Sequence, residues 1–140
     1  MVAHIAVGRS YRDREVGQGP VVYIACGGEH GVKTRAVAFR QARMSEDDDP
    51  PFYLMTTRLD LVADIHALTK AVRDQLAAET ECAAIVIDTL NRSAHGSENK
   101  DEDMGAYIAA ADRLRDEFHC AVVIIHHCGT NGERPRGIRR

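Results

Sequence analysis

Three short apolar runs in this chain each lead into side chains that can do chemistry. Asp88 directly follows Ala83-Ala84-Ile85-Val86-Ile87. Glu29 comes shortly after Val21-Val22-Tyr23-Ile24-Ala25, behind Cys26-Gly27-Gly28. His126, His127 and Cys128 follow Ala121-Val122-Val123-Ile124-Ile125. A carboxylate at the end of an apolar strand is the Walker B arrangement, in which Asp88 would hold the water shell of a nucleotide-bound Mg2+. The same position suits an Asp that caps the following turn. Gly27, Gly28 and Gly31 place three glycines within five residues, which calls for a sharp turn or a close approach. A carboxylate there could orient an attacking water, although a glycine-rich turn with a solvated Glu29 is the simpler reading. Adjacent histidines beside a cysteine invite a zinc site. Consecutive residues on an extended chain point to opposite faces, however, and the spacing supplies no fourth ligand. A His at a strand's carboxyl end can equally sense a phosphate through a hydrogen bond.

The runs that carry these residues are short, rich in β-branched side chains and free of polar alternation. That pattern belongs to strands buried on both faces, as in a parallel sheet covered by helices. Phe52-Tyr53-Leu54-Met55 is a weaker fourth strand. Between the runs the apolar spacing turns helical. Val32, Ala36 and Phe39 define one helix, Leu61, Ile65, Leu68, Val72 and Leu76 a second of about five turns. Met104, Ile108, Ala111 and Leu114 define a third. Asn99 with Glu102 forms a capping box for the third, and Asp60 is placed to cap the second. Gly17-Gln18-Gly19-Pro20 breaks the chain before the first strand, and Ser45 to Pro51 reads as a solvated acidic loop. The order β-α-β-α-β-α-β implies right-handed crossovers in an open sheet, with ligands beyond the strands' carboxyl ends.

Composition limits the choices. At 140 residues the chain is at most one domain, and 44% apolar content is enough for a core. A net charge of −3 excludes a chain that is basic throughout, so any nucleic-acid contact must come from a local patch. Arg134, Arg136, Arg139 and Arg140 form such a cluster, and terminal arginines of this kind are commonly solvated. Cys26, Cys82, Cys120 and Cys128 contain no C-x-x-C pair. Three of them adjoin apolar runs, where a free Cys acts as a small hydrophobe, and the set suits a reducing compartment. No apolar run approaches the ~20 residues of a membrane helix. A soluble, cytoplasmic protein is expected.

Together, Ile85-Val86-Ile87-Asp88-Thr89-Leu90, Gly96 to Met104, Val122-Val123-Ile124-Ile125-His126-His127 and Arg136-Gly137 resemble the RepA-type ATPases. Gly19 to Ala25 and Gly31-Val32-Lys33-Thr34-Arg35 are similar to the same family. The resemblance implies a three-layer α/β/α RecA-like P-loop NTPase core with a mainly parallel sheet. It also implies ATP and Mg2+ as cofactors, a homo-hexamer acting on single-stranded DNA, and helicase activity in plasmid or phage replication. It casts Asp88 as the metal carboxylate, with Thr89, Arg35, His126 and His127 in the nucleotide neighbourhood. Arg136 falls where such proteins reach a neighbouring subunit's phosphate, the arginine-finger role.

The chain departs from the family in two respects. The sequence contains no G-x-x-x-x-G-K-S/T loop to cradle phosphates; Met1 to Gly8 look like the tail of the helix that follows such a loop. Residues 1–140 are therefore expected to form a single partial domain that lacks its first strand and loop. Family members also carry Glu-Gly where this chain has Gly27-Gly28. In an extended segment Glu29 would then lie roughly 6–7 Å from the expected acid, too far to hold the same water unless the glycine turn folds it back. Three functions are compatible with these features: an ATPase domain of a RepA-type helicase, itself inactive in hydrolysis; a non-catalytic remnant or interaction module that keeps the fold; or a metal-binding protein using His126, His127 and Cys128.

Overall fold

The computed structural model describes residues 2–76, 81–94 and 100–127. The elements run α1 (Val2–Val7), β1 (Val21–Ala25), α2 (Glu29–Arg43), β2 (Phe52–Thr56), α3 (Ile65–Gln75), β3 (Ala84–Asp88), α4 (Leu90–Ser93), α5 (Asp101–Phe118) and β4 (Ala121–Ile125). The strands form one sheet in the order β2-β1-β3-β4, every neighbouring pair parallel. All four strands expected from the apolar runs are present.

Period-two alternation sorts the strand side chains into two cores. Val22, Ile24, Ile85 and Ile87 face the larger one, with Leu61, Leu68 and Val72 from the α3 region and Tyr107, Ala111 and Leu114 of α5. Val21, Ala84 and Val86 face the other way, toward Ala6 of α1. Helices on both faces make the fold the α/β RecA-like type expected. Among the described residues no helix is long and apolar enough to cross a membrane. Cys26, Cys82 and Cys120 are buried free thiols, used as small hydrophobes.

Four details differ from the sequence-based expectations. The first is α5, which buries Tyr107, Ala110, Ala111 and Leu114 while Ile108 is 50% exposed. The Tyr107 hydroxyl lies 2.7 Å from Ser93 Oγ, both groups fully enclosed. Satisfying that buried polar pair sets which stripe faces inward, at the expense of Ile108. Second, α5 has Lys100 as its N-cap, with no side-chain cap; Asn99 lies outside the described residues. Third, the apolar stripe from Leu61 becomes a regular helix only at Ile65. Asp60 still caps, because its Oδ1 accepts from the N–H groups of Val62 and Ala63, and Asp64 Oδ2 accepts from Asp60 N. Fourth, β4 is only half-buried although its sequence is as apolar as that of β3. Its one strand neighbour among the described residues is β3, whereas β3 has β1 on its other side.

Ser93 links the layers. Its Oγ donates to Thr89 O at 3.0 Å, and its carbonyl accepts from Leu61 N at 2.8 Å. Tyr107→Phe should therefore cost about 1 kcal/mol, the net worth of one buried hydrogen bond, while Leu114→Ala should cost about 2–5 kcal/mol through its cavity. Urea unfolding of the two variants checks this order. A Tyr107→Phe loss as large as that of Leu114→Ala would show that the Ser93 contact does more than satisfy a hydroxyl.

Candidate functional site

The carboxyl edge of the sheet is built around Asp88, the last residue of β3. Alternation puts Asp88 on the same face as Ala84 and Val86, which is also the Tyr23 face of β1. Parallel register pairs Ala25 with Asp88 and Tyr23 with Val86, so the tyrosine lies one step below the carboxylate. Its hydroxyl reaches up and donates to Asp88 Oδ2 at 2.6 Å. The pairing continues past the strands, since Cys26 N donates to the Asp88 carbonyl at 2.7 Å. The peptide bond from Asp88 to Thr89 is cis.

Arg35, on the first half of α2, brings its guanidinium to the same carboxylate oxygen at 3.6 Å. The Arg35 side chain is 70% exposed and that of Asp88 13%. At this separation the contact is between charges rather than a hydrogen bond. Thr89 is the N-cap of α4, and its side chain makes no capping hydrogen bond; the Asp88 carboxylate is met by Tyr23 and Arg35. Thr89 is itself buried, and its carbonyl accepts from Arg92 N and Ser93 N.

The surroundings keep the neighbouring acids protonated. Burial raises the Tyr23 phenol well above the ordinary tyrosine range, and the hydrogen bond to Asp88 raises it further. Tyr23 is thus a fixed donor. Because its folded value is raised, its contribution to stability is full below the ordinary tyrosine range and fades only as pH climbs through the raised one. Cys26 is pushed up to about 11, chiefly by burial and then by the Asp88 charge. It is no ready nucleophile.

The glycine turn leads straight into a helix. Gly28 is left-handed (φ 71°, ψ 34°) and precedes α2, whose first residue is Glu29. Glu29 therefore does not continue an extended segment, and the displacement expected on that basis does not apply. Gly27 has a close neighbour from another element. A Cβ there would lie 3.4 Å from Arg92 Nη1 and 3.5 Å from Arg92 Cδ. These are ordinary van der Waals distances, so the arginine side chain lies beside the place from which a side chain at this position would project.

The histidines follow β4, whose last residue, Ile125, pairs with Asp88. His126 is half-buried and His127 exposed, as expected for consecutive residues on extended backbone. Among the described residues no group of three or more His, Cys, Asp or Glu side chains could hold a metal. Cys128 and Arg136 lie outside the described residues.

The structure thus joins two of the sequence-derived residues, Asp88 and Arg35, and adds Tyr23 and Arg92. Tyr23 had a readable signal, as the one hydroxyl in its own apolar run, which needs a partner once buried. Arg92 had none, since its role depends on the missing side chain at Gly27. A family model described as an AAA domain matches residues 1–133. No curated protein matches the chain.

Gly27→Glu places a carboxylate within reach of the Arg92 guanidinium. The expected result is a stability gain below about 1 kcal/mol, shrinking as salt rises and absent in a Gly27→Glu/Arg92→Ala double variant. Thermal melts at low and high NaCl measure it. A salt-independent loss would mean that Arg92 does not stand over Gly27 in solution.

Proposed function

Because the chain belongs to the AAA domain family, we propose that it carries the metal-carboxylate strand of an AAA-type ATPase site of the RepA helicase kind, and that its 140 residues do not by themselves hydrolyse ATP. The observation that supports this reading is Asp88 at the carboxyl end of a central parallel strand, held by Tyr23 and faced by Arg35.

The donor set fits a hard cation only in part. Asp88 offers one carboxylate, which Tyr23 and Arg35 both meet at Oδ2. A single carboxylate suits Mg2+, an ion that keeps most of its waters and takes one or two from the protein. When bound, Mg2+ supplies charge neutralisation at phosphate oxygens. Asp88 would orient the ion's water shell, and Tyr23 would fix the carboxylate rotamer by its donated hydrogen bond. The nucleotide fits less well. The sequence contains no G-x-x-x-x-G-K-S/T loop, so the backbone N–H groups and lysine that cradle β- and γ-phosphates are not among these residues. Gly27 has no side chain to hold an attacking water, and the side chain beside it is that of Arg92. No hydrolytic step follows from this arrangement.

The RepA resemblance extends the proposal to a homo-oligomeric ring on single-stranded DNA, with Thr89 and the His126-His127 pair near the nucleotide and Arg136 reaching a neighbour's phosphate. In this reading Glu29 is a helix-start residue with no assigned water.

The test is ATP turnover and calorimetric ATP titration of the 140-residue chain with Mg2+. Phosphate release at background is expected, with binding weaker than about millimolar. Asp88→Asn should leave the release unchanged. Mg2+-dependent turnover that disappears in Asp88→Asn would overturn the inactive assignment.

A further inference from the structure

Asp88 meets Tyr23 and Arg35 through one oxygen, Oδ2, and the two contacts differ in kind. Tyr23 is neutral, half-buried and 2.6 Å away, a directional hydrogen bond from a rigid strand. Arg35 is cationic, 70% exposed and 3.6 Å away, at the end of a long side chain on a helix. A second cation arriving at the carboxylate leaves the first contact intact, because a phenol O–H carries no net charge. It opposes the second, because two cations sharing one carboxylate repel each other.

We infer that Arg35 is a built-in counter-cation for Asp88, which a divalent metal ion must displace to occupy the carboxylate. This rests on the reading of Asp88 as the metal carboxylate and goes beyond it by assigning Arg35 a role in how tightly that carboxylate takes a metal. The guanidinium neutralises a mostly buried carboxylate when no metal is present, a charge that would otherwise stand uncompensated. Space for its withdrawal lies alongside. A cavity of about 550 Å³ runs between α1, α2 and the β1–β2 side of the sheet, lined by Tyr23, Arg35, Phe39 and Phe52.

The exchange also bears on α2. Val32 is the one buried hydrophobic side chain of that helix among the described residues, so little apolar packing anchors it to the sheet. The Arg35 contact is its charge tether to the end of β3. Metal at Asp88 releases the tether, and α2 loosens while Tyr23 stays in place.

The test uses Mn2+ alone, standing in for Mg2+, titrated into the 140-residue chain and followed by the free-ion electron paramagnetic resonance signal. Arg35→Ala should bind Mn2+ roughly two- to fivefold more tightly than the unmodified chain, the range of an exposed ion pair. That difference should shrink as NaCl is raised, and Asp88→Asn should abolish binding in both backgrounds. Hydrogen exchange read by mass spectrometry supplies a second measure. Amides of residues 29–43 should exchange faster when Mg2+ is added, and Arg35→Ala should show that faster exchange without metal. If Arg35→Ala binds no more tightly while Asp88→Asn still abolishes binding, the counter-cation role is wrong and Asp88 remains the metal carboxylate. If neither the unmodified chain nor Arg35→Ala binds Mn2+, the metal reading of Asp88 falls with it.

Discussion

The organisation of this domain depends on ending a fully buried strand with a carboxylate. β3 has strands on both sides and helices on both faces, and Ala84 to Ile87 are enclosed. Continuing that strand by one residue carries Asp88 to the sheet edge with its side chain still mostly covered. Such a charge is costly unless neighbouring groups answer it. The parallel β1–β3 register supplies the first answer, by bringing Tyr23 to the same face one step below. The β1–α2 crossover supplies the second, by returning Arg35 over that edge. Sheet pairing and site electrostatics are therefore one constraint: a slip of β1 by one residue would turn Tyr23 to the opposite face and remove the hydrogen bond.

The chain beyond Asp88 is held as firmly as the strand before it. Thr89 opens α4, and Ser93 at its far end bonds back to the Thr89 carbonyl, to Tyr107 and, through its own carbonyl, to Leu61. Three separate parts of the chain thus converge on the short helix that follows the carboxylate. A site on such a frame keeps its geometry without a ligand, leaving the exposed arginines as the groups free to move.

Much of this was legible in the sequence because burial leaves a strong imprint. Strands enclosed on both faces must be apolar throughout, so the runs at Val21, Ala84 and Ala121 and the position of Asp88 could be read directly. Arg35 was legible only through resemblance. The failures share a cause. Ile108 fits the helical stripe as well as Tyr107 does, and the choice between them was made by a hydrogen bond to Ser93, a residue distant in sequence. β4 has the composition of a central strand, but exposure depends on what lies beside it, and composition carries no such information. The contact of Arg92 with Gly27 pairs a side chain with the absence of one, and a pattern of residue types does not encode that.

Gly27 gains significance from this contact. Where the resemblance calls for an acid, a bare glycine would by itself indicate simple loss. An arginine lying against the glycine changes the electrostatics of the site instead of leaving it blank. Arg35 faces Asp88, and Arg92 lies beside Gly27 at the same end of the sheet, so the described residues bring two guanidinium groups to the β1–β3 edge. General-base chemistry needs an acceptor for a water's proton; guanidinium groups are donors only and do not lose their protons. Cations at such an edge favour anion binding and charge neutralisation over proton abstraction. If Asp88 is the metal carboxylate, as proposed, the described residues around it pair that single acid with groups suited to meeting negative charge, and Gly27 contributes no side chain that could accept a water's proton.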